Sequence, residues 1–128
     1  MPKKKFTMEF DMKRTPVSLL WDYISSAPGL AKWFADDVEV TGKHYAFFWN
    51  KQEQGAVVTA MRRESHIRLK WDDDDEPRSY FEMRILDSDF SDAVTLEVTD
   101  FADSDDEAGQ RDLWRSQVET LRRSIGCK

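Results

Sequence analysis

The first residues of the chain alternate between large apolar and polar side chains, a pattern with a period of two. The apolar positions of this alternation are Phe6, Met8, Phe10 and Met12. Successive side chains of a β-strand point to opposite faces, so the pattern predicts a strand with one buried face.

A helical period follows this strand. Thr15 is a residue type that caps helix N-termini, and Pro16 suits the first helical position. Apolar residues then recur at helical spacing, at Val17, Leu20, Trp21 and Ile24. We expect Pro28 and Gly29 to end this helix and residues 30–34 to form a second short helical turn.

The middle of the chain contains further alternating segments, which polar turns separate. We expect strands near residues 37–41, 45–49, 56–61, 66–71, 80–85 and 94–99. With the first strand these make seven, and the short connections favour antiparallel pairing. The sequence therefore predicts a curved antiparallel sheet.

The last part of the chain has the pattern of an amphipathic helix. Ser104 and Glu107 have the spacing of a capping box, and Gly126 is a residue type that ends helices. Between them the apolar residues recur at spacings of four, three and four, at Trp114, Val118, Leu121 and Ile125. This stripe needs an apolar surface to pack on, and the sheet is the one large enough. We predict an α+β fold in which the sheet curls around the C-terminal helix.

Size, composition and charge restrict the classes of function. The 128 residues suit one domain, residues 1–128, and the formal net charge is −6. A negative protein is repelled by phosphate, so we expect no nucleic-acid partner. No apolar run is long enough for a membrane span, so we expect no membrane insertion. Cys127 is the single cysteine; it can form no internal disulfide, which favours a cytoplasmic location.

Several motifs, taken in this order of elements, point to one family. They are Ser-Leu-Leu-Trp at 18–21, Gly-Leu-Ala-Lys-Trp-Phe at 29–34, Phe-Trp at 48–49, Ile-Arg-Leu-Lys-Trp at 67–71 and Leu-Trp at 113–114. Through them nearly the whole chain resembles the START-like proteins related to the activator of the heat-shock ATPase. The resemblance implies a helix-grip fold with two short helices after the first strand. It also implies a cavity between the sheet and the last helix, which elsewhere in the superfamily holds lipids, sterols, polyketides or other apolar ligands.

The candidate ligand-binding residues are those that we expect around this cavity. They are Trp33, Phe34, Phe47, Trp49, Trp71, Phe81, Met83, Trp114, Gln117, Val118 and Leu121. Aromatic residues of this kind either line a pocket or fill a core, and we expect Trp33 and Phe34 near the mouth. Gln117 lies on the apolar stripe of the last helix, so its amide needs a partner. That partner is either a sheet side chain such as Tyr45 or Tyr80, or a ligand.

Other residues that could support chemistry have simpler interpretations. The acidic run 72–76 lacks the ligand spacing and glycine of a calcium loop, so we expect a solvated turn. Oxygenases of the superfamily hold iron with two histidines and a carboxylate at local helical spacing. Here His44 and His66 lie on different predicted strands, with His66 expected on an exposed face. We therefore expect no metal, no cofactor and no catalytic residue.

Three classes of function follow from these patterns. The first is binding of a small hydrophobic or amphipathic molecule in the cavity. The second is a protein-interaction, co-chaperone-like adaptor whose cavity is collapsed and whose surface binds a protein partner. The third is a cyclase-like or hydrolase-like enzyme acting on an apolar substrate, which needs a titratable cluster inside the pocket.

Overall fold

The computed structural model describes residues 3–88 and 90–126, and this part of the chain contains seven strands and three helices. Their order is β1 (Lys4–Asp11), α1 (Val17–Ser25), α2 (Ala27–Leu30), β2 (Asp37–Thr41), β3 (His44–Trp49), β4 (Gln52–Arg62), β5 (His66–Trp71), β6 (Phe81–Asp87), β7 (Val94–Ala102) and α3 (Glu107–Ile125). Cys127 lies outside the described residues. In these residues no helix is long and apolar enough to cross a membrane.

The strands form one antiparallel sheet, as the alternating segments predict. Its order is β1-β7-β6-β5-β4-β3-β2, so the first strand pairs with the last and Phe6 lies opposite Asp100. The register between β4 and β5 shifts between Val58 and Ala60, an irregularity of the kind that bends a strand. The sheet thus curves toward the face on which the helices lie.

The core lies between this inner face and the helices. From Phe6 onward every second residue of β1 is buried, with Phe6, Met8 and Phe10 at 4–8% exposure, which confirms the predicted alternation. The buried residues of α3 are Trp114, Val118 and Leu121, and they belong to the same apolar cluster as the sheet residues. The predicted packing of the last helix against the sheet is therefore confirmed.

The two predicted helix caps are wrong. The N-cap of α1 is Pro16, without a side-chain hydrogen bond, and the hydroxyl of buried Thr15 instead donates a 2.6 Å hydrogen bond to the carbonyl oxygen of Met12. The N-cap of α3 is Asp106, without a side-chain hydrogen bond, so Ser104 forms no capping box. Gly126 ends α3 in the left-handed region at φ 87°, as predicted.

Gly29 lies inside α2 and does not end α1, contrary to the sequence prediction. Ser26 is the N-cap of α2, and its hydroxyl accepts a 3.0 Å hydrogen bond from the backbone N–H of Gly29. A Cβ atom on Gly29 would overlap the carbonyl oxygen of Asp22 and lie 2.6 Å from the Cα of Tyr23. Glycine is required there because α1 and α2 pack backbone against backbone.

Candidate ligand cavity

A cavity of about 870 Å³ opens between the sheet and the N-terminal half of α3. From α3 it is lined by Gln110, Leu113, Trp114 and Gln117, which recur at helical spacing on one face of the helix. The loop of residues 72–80, between β5 and β6, forms another side. The cavity is therefore bounded by both main layers of the fold.

Five aromatic side chains form one wall of the cavity. This aromatic wall consists of Phe34, Trp49, Trp71, Phe81 and Trp114. The rings of Trp71 and Phe81 stack at 4.7 Å between centroids, and those of Phe34 and Phe81 stack at 5.9 Å. Ring pairs in these arrangements hold one another in place, so the wall is a preformed apolar surface.

The carbonyl oxygen of Phe34 joins three parts of the fold at this wall. It accepts hydrogen bonds from Trp49 Nε1 at 3.0 Å and from Gln117 Nε2 at 2.9 Å. Carbonyls at the end of a helical segment lack helical donors, which explains why side chains supply them. Gln117 thus has a backbone partner and bonds neither predicted tyrosine. Of those two, Tyr45 donates to the carbonyl of Ser25 at 2.7 Å.

Another part of the cavity lining is acidic, and it meets the aromatic wall where Asp100 bonds Trp114. Six carboxylate side chains form this part, here called the acidic cluster, namely Asp73, Asp74, Asp75, Glu76, Asp100 and Asp103. Lys3 is the one cationic side chain among the described lining residues, and its Nζ lies 3.5 Å from Asp74 Oδ2. The cavity therefore combines an apolar wall with a strongly negative one.

The loop of residues 72–80 is folded, so the prediction of a solvated turn is wrong for its centre. The side chain of Asp74 is only 7% exposed and accepts hydrogen bonds from the hydroxyl of Ser79 and the N–H of Glu76. Burial alone would raise the pKa of Asp74, but these hydrogen bonds and the charge of Lys3 lower it below 3.8. Lys70 Nζ closes the loop by donating to the carbonyls of Glu76 and Ser79.

Asp100 lies on β7 and points inward. Its Oδ2 accepts a 2.8 Å hydrogen bond from Trp114 Nε1, and its Oδ1 accepts one from the N–H of Phe101. Burial raises the pKa of Asp100, and these two hydrogen bonds offset only part of the effect. In the described part of the chain, Oδ1 of the nearby lining residue Asp103 is buried without a hydrogen-bond partner.

The predicted site residues fall into two groups. Those that line the cavity are Phe34, Trp49, Trp71, Phe81, Trp114 and Gln117. Those that lie in the packed core and outside the lining are Trp33, Phe47, Met83, Val118 and Leu121. Val118 and Leu121 belong to the C-terminal half of α3, beyond the cavity. The Trp33 indole is held at α1 by a 2.7 Å hydrogen bond to the carbonyl of Tyr23.

Sequence reasoning missed most of the polar lining. Asp100 carries a usable signal, because it shares the inward parity of Val94, Leu96 and Val98 on the same strand. Gln110 carries one as well, since it lies seven residues before Gln117 on one helix face. Leu113 shares the helical spacing of Gln110 and Gln117. The lining residues Lys3, Gln54, Tyr80, Phe101 and Asp103 show no such pattern.

Neither histidine lines the cavity. His44 Nε2 lies 2.7 Å from Asp72 Oδ2, and His66 Nδ1 lies 2.9 Å from the hydroxyl of Ser65. His66 is partly buried, contrary to the predicted exposure, and burial together with the charge of Arg84 lowers its pKa. Within residues 3–88 and 90–126 no group of three or more His, Cys, Asp or Glu side chains is placed to hold a metal ion.

Comparison with known proteins defines the family. Residues 1–127 match the family model of the START-like superfamily domain. The chain therefore belongs to the START-like superfamily, and its sheet and C-terminal helix form the predicted helix-grip fold. No curated protein matches the chain.

Solved structures share this fold. BfR322 from Bacteroides fragilis is 38% identical, with a TM-score of 0.70, over 97% of this chain and 92% of that one. The Aha1 dimer from Colwellia psychrerythraea is 13% identical, with a TM-score of 0.79, over 95% and 96% of the two chains. DynU16, a putative protein in the dynemicin biosynthetic locus, is 16% identical, with a TM-score of 0.81, over 98% of this chain and 48% of its own. At these identities the last two likenesses concern the fold alone.

Proposed function

We propose that the chain binds a small hydrophobic or amphipathic molecule in the cavity between the sheet and α3. The observation that carries this proposal is the cavity itself, with a volume of about 870 Å³. Ligand pockets in proteins measure about 300–1,000 Å³. Membership of a superfamily whose members bind hydrophobic ligands supports the same function. A cytoplasmic location is part of the proposal and rests on the single cysteine of the sequence.

The lining supports a ligand with both apolar and polar parts. The accessible apolar area of the aromatic wall comes mainly from Trp49 and Trp71, which are partly exposed and pack on its buried rings. The other lining residues offer carboxylates and the amides of Gln54, Gln110 and Gln117. Pockets that bind small molecules combine an apolar lining with a few polar groups that orient the ligand. We assign the aromatic wall to the apolar part and the polar sides to orientation.

The two other classes of function fit the cavity less well. An adaptor with a collapsed cavity would leave little space beside the aromatic wall, and the volume of about 870 Å³ favours an open cavity over that alternative. An enzyme needs a titratable cluster in the pocket, and the acidic cluster meets that requirement. However, both oxygens of Asp100 already accept protein hydrogen bonds, and neither histidine lies in the lining. We therefore favour binding over catalysis.

A neutral fluorescent dye tests the proposal directly. Nile red emission should rise on titration of the protein, and dye at a hundred times its Kd should add about 2.7 kcal/mol of stability. Leu113→Trp places a bulky indole ring at the cavity and should weaken binding at least about tenfold. Met61→Trp is the matched control, because Met61 is 54% exposed against 52% for Leu113 and lies outside the lining.

Two outcomes would contradict the proposal. Equal weakening of dye binding by both tryptophan substitutions would place the dye on the general surface. Absence of binding to the wild-type protein, together with no small molecule in native mass spectra of freshly purified protein, would favour the adaptor.

A further inference from the structure

The charge in the cavity is strongly one-sided. The acidic cluster contributes six carboxylates, whereas Lys3 is the one ammonium group among the described lining residues. Lys3 Nζ lies 3.5 Å from Asp74 Oδ2, and its positive charge also acts on Asp100. Lys70 Nζ donates hydrogen bonds to the carbonyls of Glu76 and Ser79 in the loop. The cavity therefore repels an anion and attracts a cation.

A buried acceptor at this cavity has no donor. Oδ1 of Asp103 is inaccessible to solvent and has no hydrogen-bond partner in residues 3–88 and 90–126. Buried polar atoms are almost always paired, and an unpaired one lowers stability. Asp103 lines the cavity together with Asp100, whose burial disfavours its charged form. In the described part of the chain only Oδ1 of Asp103 is enclosed in this way, and a cationic group placed beside the two carboxylates would offset their negative charge.

The aromatic wall is compatible with such a ligand. Trp49 and Trp71 are only partly buried, so their rings are accessible from the cavity. The faces of tryptophan rings attract cations and also pack against hydrocarbon. One molecule can therefore contact the rings with its apolar part while its charged group reaches the acidic cluster.

We propose that the cavity selects an amphipathic organic cation, whose charged group lies between Asp100 and Asp103 and whose apolar part lies on the aromatic wall. This inference rests on the proposed function, because it names the chemical class of the ligand of that same cavity. It excludes fatty acids and other anionic amphiphiles as the preferred ligands.

Three probes with ten carbon atoms each separate charge from hydrophobicity. Decylammonium, decanol and decanoate are titrated at pH 7, below micelle formation, against Nile red bound to the protein. Decylammonium should displace the dye at a concentration at least about tenfold lower than decanoate. Decanol should lie between them, and added salt should reduce the differences.

Paired variants test the position of the charge. Asp100→Asn with Asp103→Asn should abolish most of the preference for decylammonium over decanol and decanoate, measured as the ratio of their displacement concentrations. Asp105→Asn with Asp106→Asn removes the same charge from exposed residues outside the lining, and this control should retain the preference. Asp103→Asn alone repeats the test if the first double variant does not fold.

The outcomes distinguish this inference from the proposed function. If decanoate binds as tightly as decylammonium while decanol also binds, the inference is overturned and the binding function stands. If both double variants lose the preference for decylammonium equally, the preference comes from the net charge of the protein, and the inference is overturned as well. If neither the dye nor any of the three probes binds, the proposed function fails and the inference fails with it.

Discussion

The shared acceptor at Phe34 allows a quantitative test of how the cavity wall is held. Its carbonyl oxygen accepts hydrogen bonds from both Trp49 and Gln117, at 3.0 and 2.9 Å. Gln117→Leu removes one donor and Trp49→Phe removes the other. After either single substitution the carbonyl still has one partner, and after both it has neither.

The two substitutions should therefore not be additive. Gln117→Leu alone should lower the free energy of unfolding by about 1 kcal/mol, the usual net value of one hydrogen bond. Phe34 is only 4% exposed, so water has little access to replace the lost donors. Because an unpaired buried acceptor costs about 1–3 kcal/mol, the double variant should lose about 1–2 kcal/mol more than the sum of the single losses.

Equilibrium unfolding in urea measures this coupling, with equal m-values as the condition for comparing variants. The control cycle combines Gln117→Leu with Trp33→Phe, because the Trp33 indole donates to the carbonyl of Tyr23 and does not share the acceptor. That cycle should be additive within about 0.5 kcal/mol. A coupling near zero in the Trp49 cycle would refute the reasoning, since it would mean that the carbonyl of Phe34 is not isolated from water.

Three further predictions concern stability. Leu121→Ala should lower the free energy of unfolding by about 2–5 kcal/mol in urea unfolding, because Leu121 is completely buried. Asp100→Asn should lose less stability at pH 7 than Asp100→Ala. The amide removes a charge that burial disfavours and keeps one acceptor oxygen, but its NH2 group faces either Trp114 Nε1 or the N–H of Phe101. Asp100→Ala should lose about 1–3 kcal/mol. Asp74→Asn should be less stable than the wild type at neutral pH, because the hydrogen bond from Ser79 helps to lower the pKa of the Asp74 carboxyl. The difference in the free energy of unfolding should disappear as the pH falls below 3.8 and this carboxyl becomes protonated.

The architecture could be predicted because it depends on periodicity. Alternation over Phe6, Met8 and Phe10 identifies a half-buried strand without knowledge of its partner, and the stripe from Trp114 to Leu121 identifies a helix that packs on a sheet. Aromatic residues on the inward positions of the sheet then place part of the cavity wall. These signals are local in the sequence.

The polar side of the cavity depends on contacts between distant residues, which periodicity does not encode. Lys3 and Asp74 pair across 71 positions of the chain, and Asp74 is buried because Ser79 and the backbone of Glu76 bond its carboxylate. A run of acidic residues without such partners would remain hydrated, which is the ordinary interpretation of its composition. The boundary between cavity and core along α3 likewise depends on how the loop of residues 72–80 packs.

The indole N–H signals of the five tryptophans test the ligand cavity most directly. In a two-dimensional ¹H–¹⁵N spectrum recorded during titration with decanol, the signals of Trp49, Trp71 and Trp114 should shift, because these residues line the cavity. The signals of Trp21 and Trp33 should stay in place, because both residues are buried outside the lining. Shifts confined to Trp21 and Trp33, or no shift of any indole signal at saturating decanol, would contradict binding in the cavity.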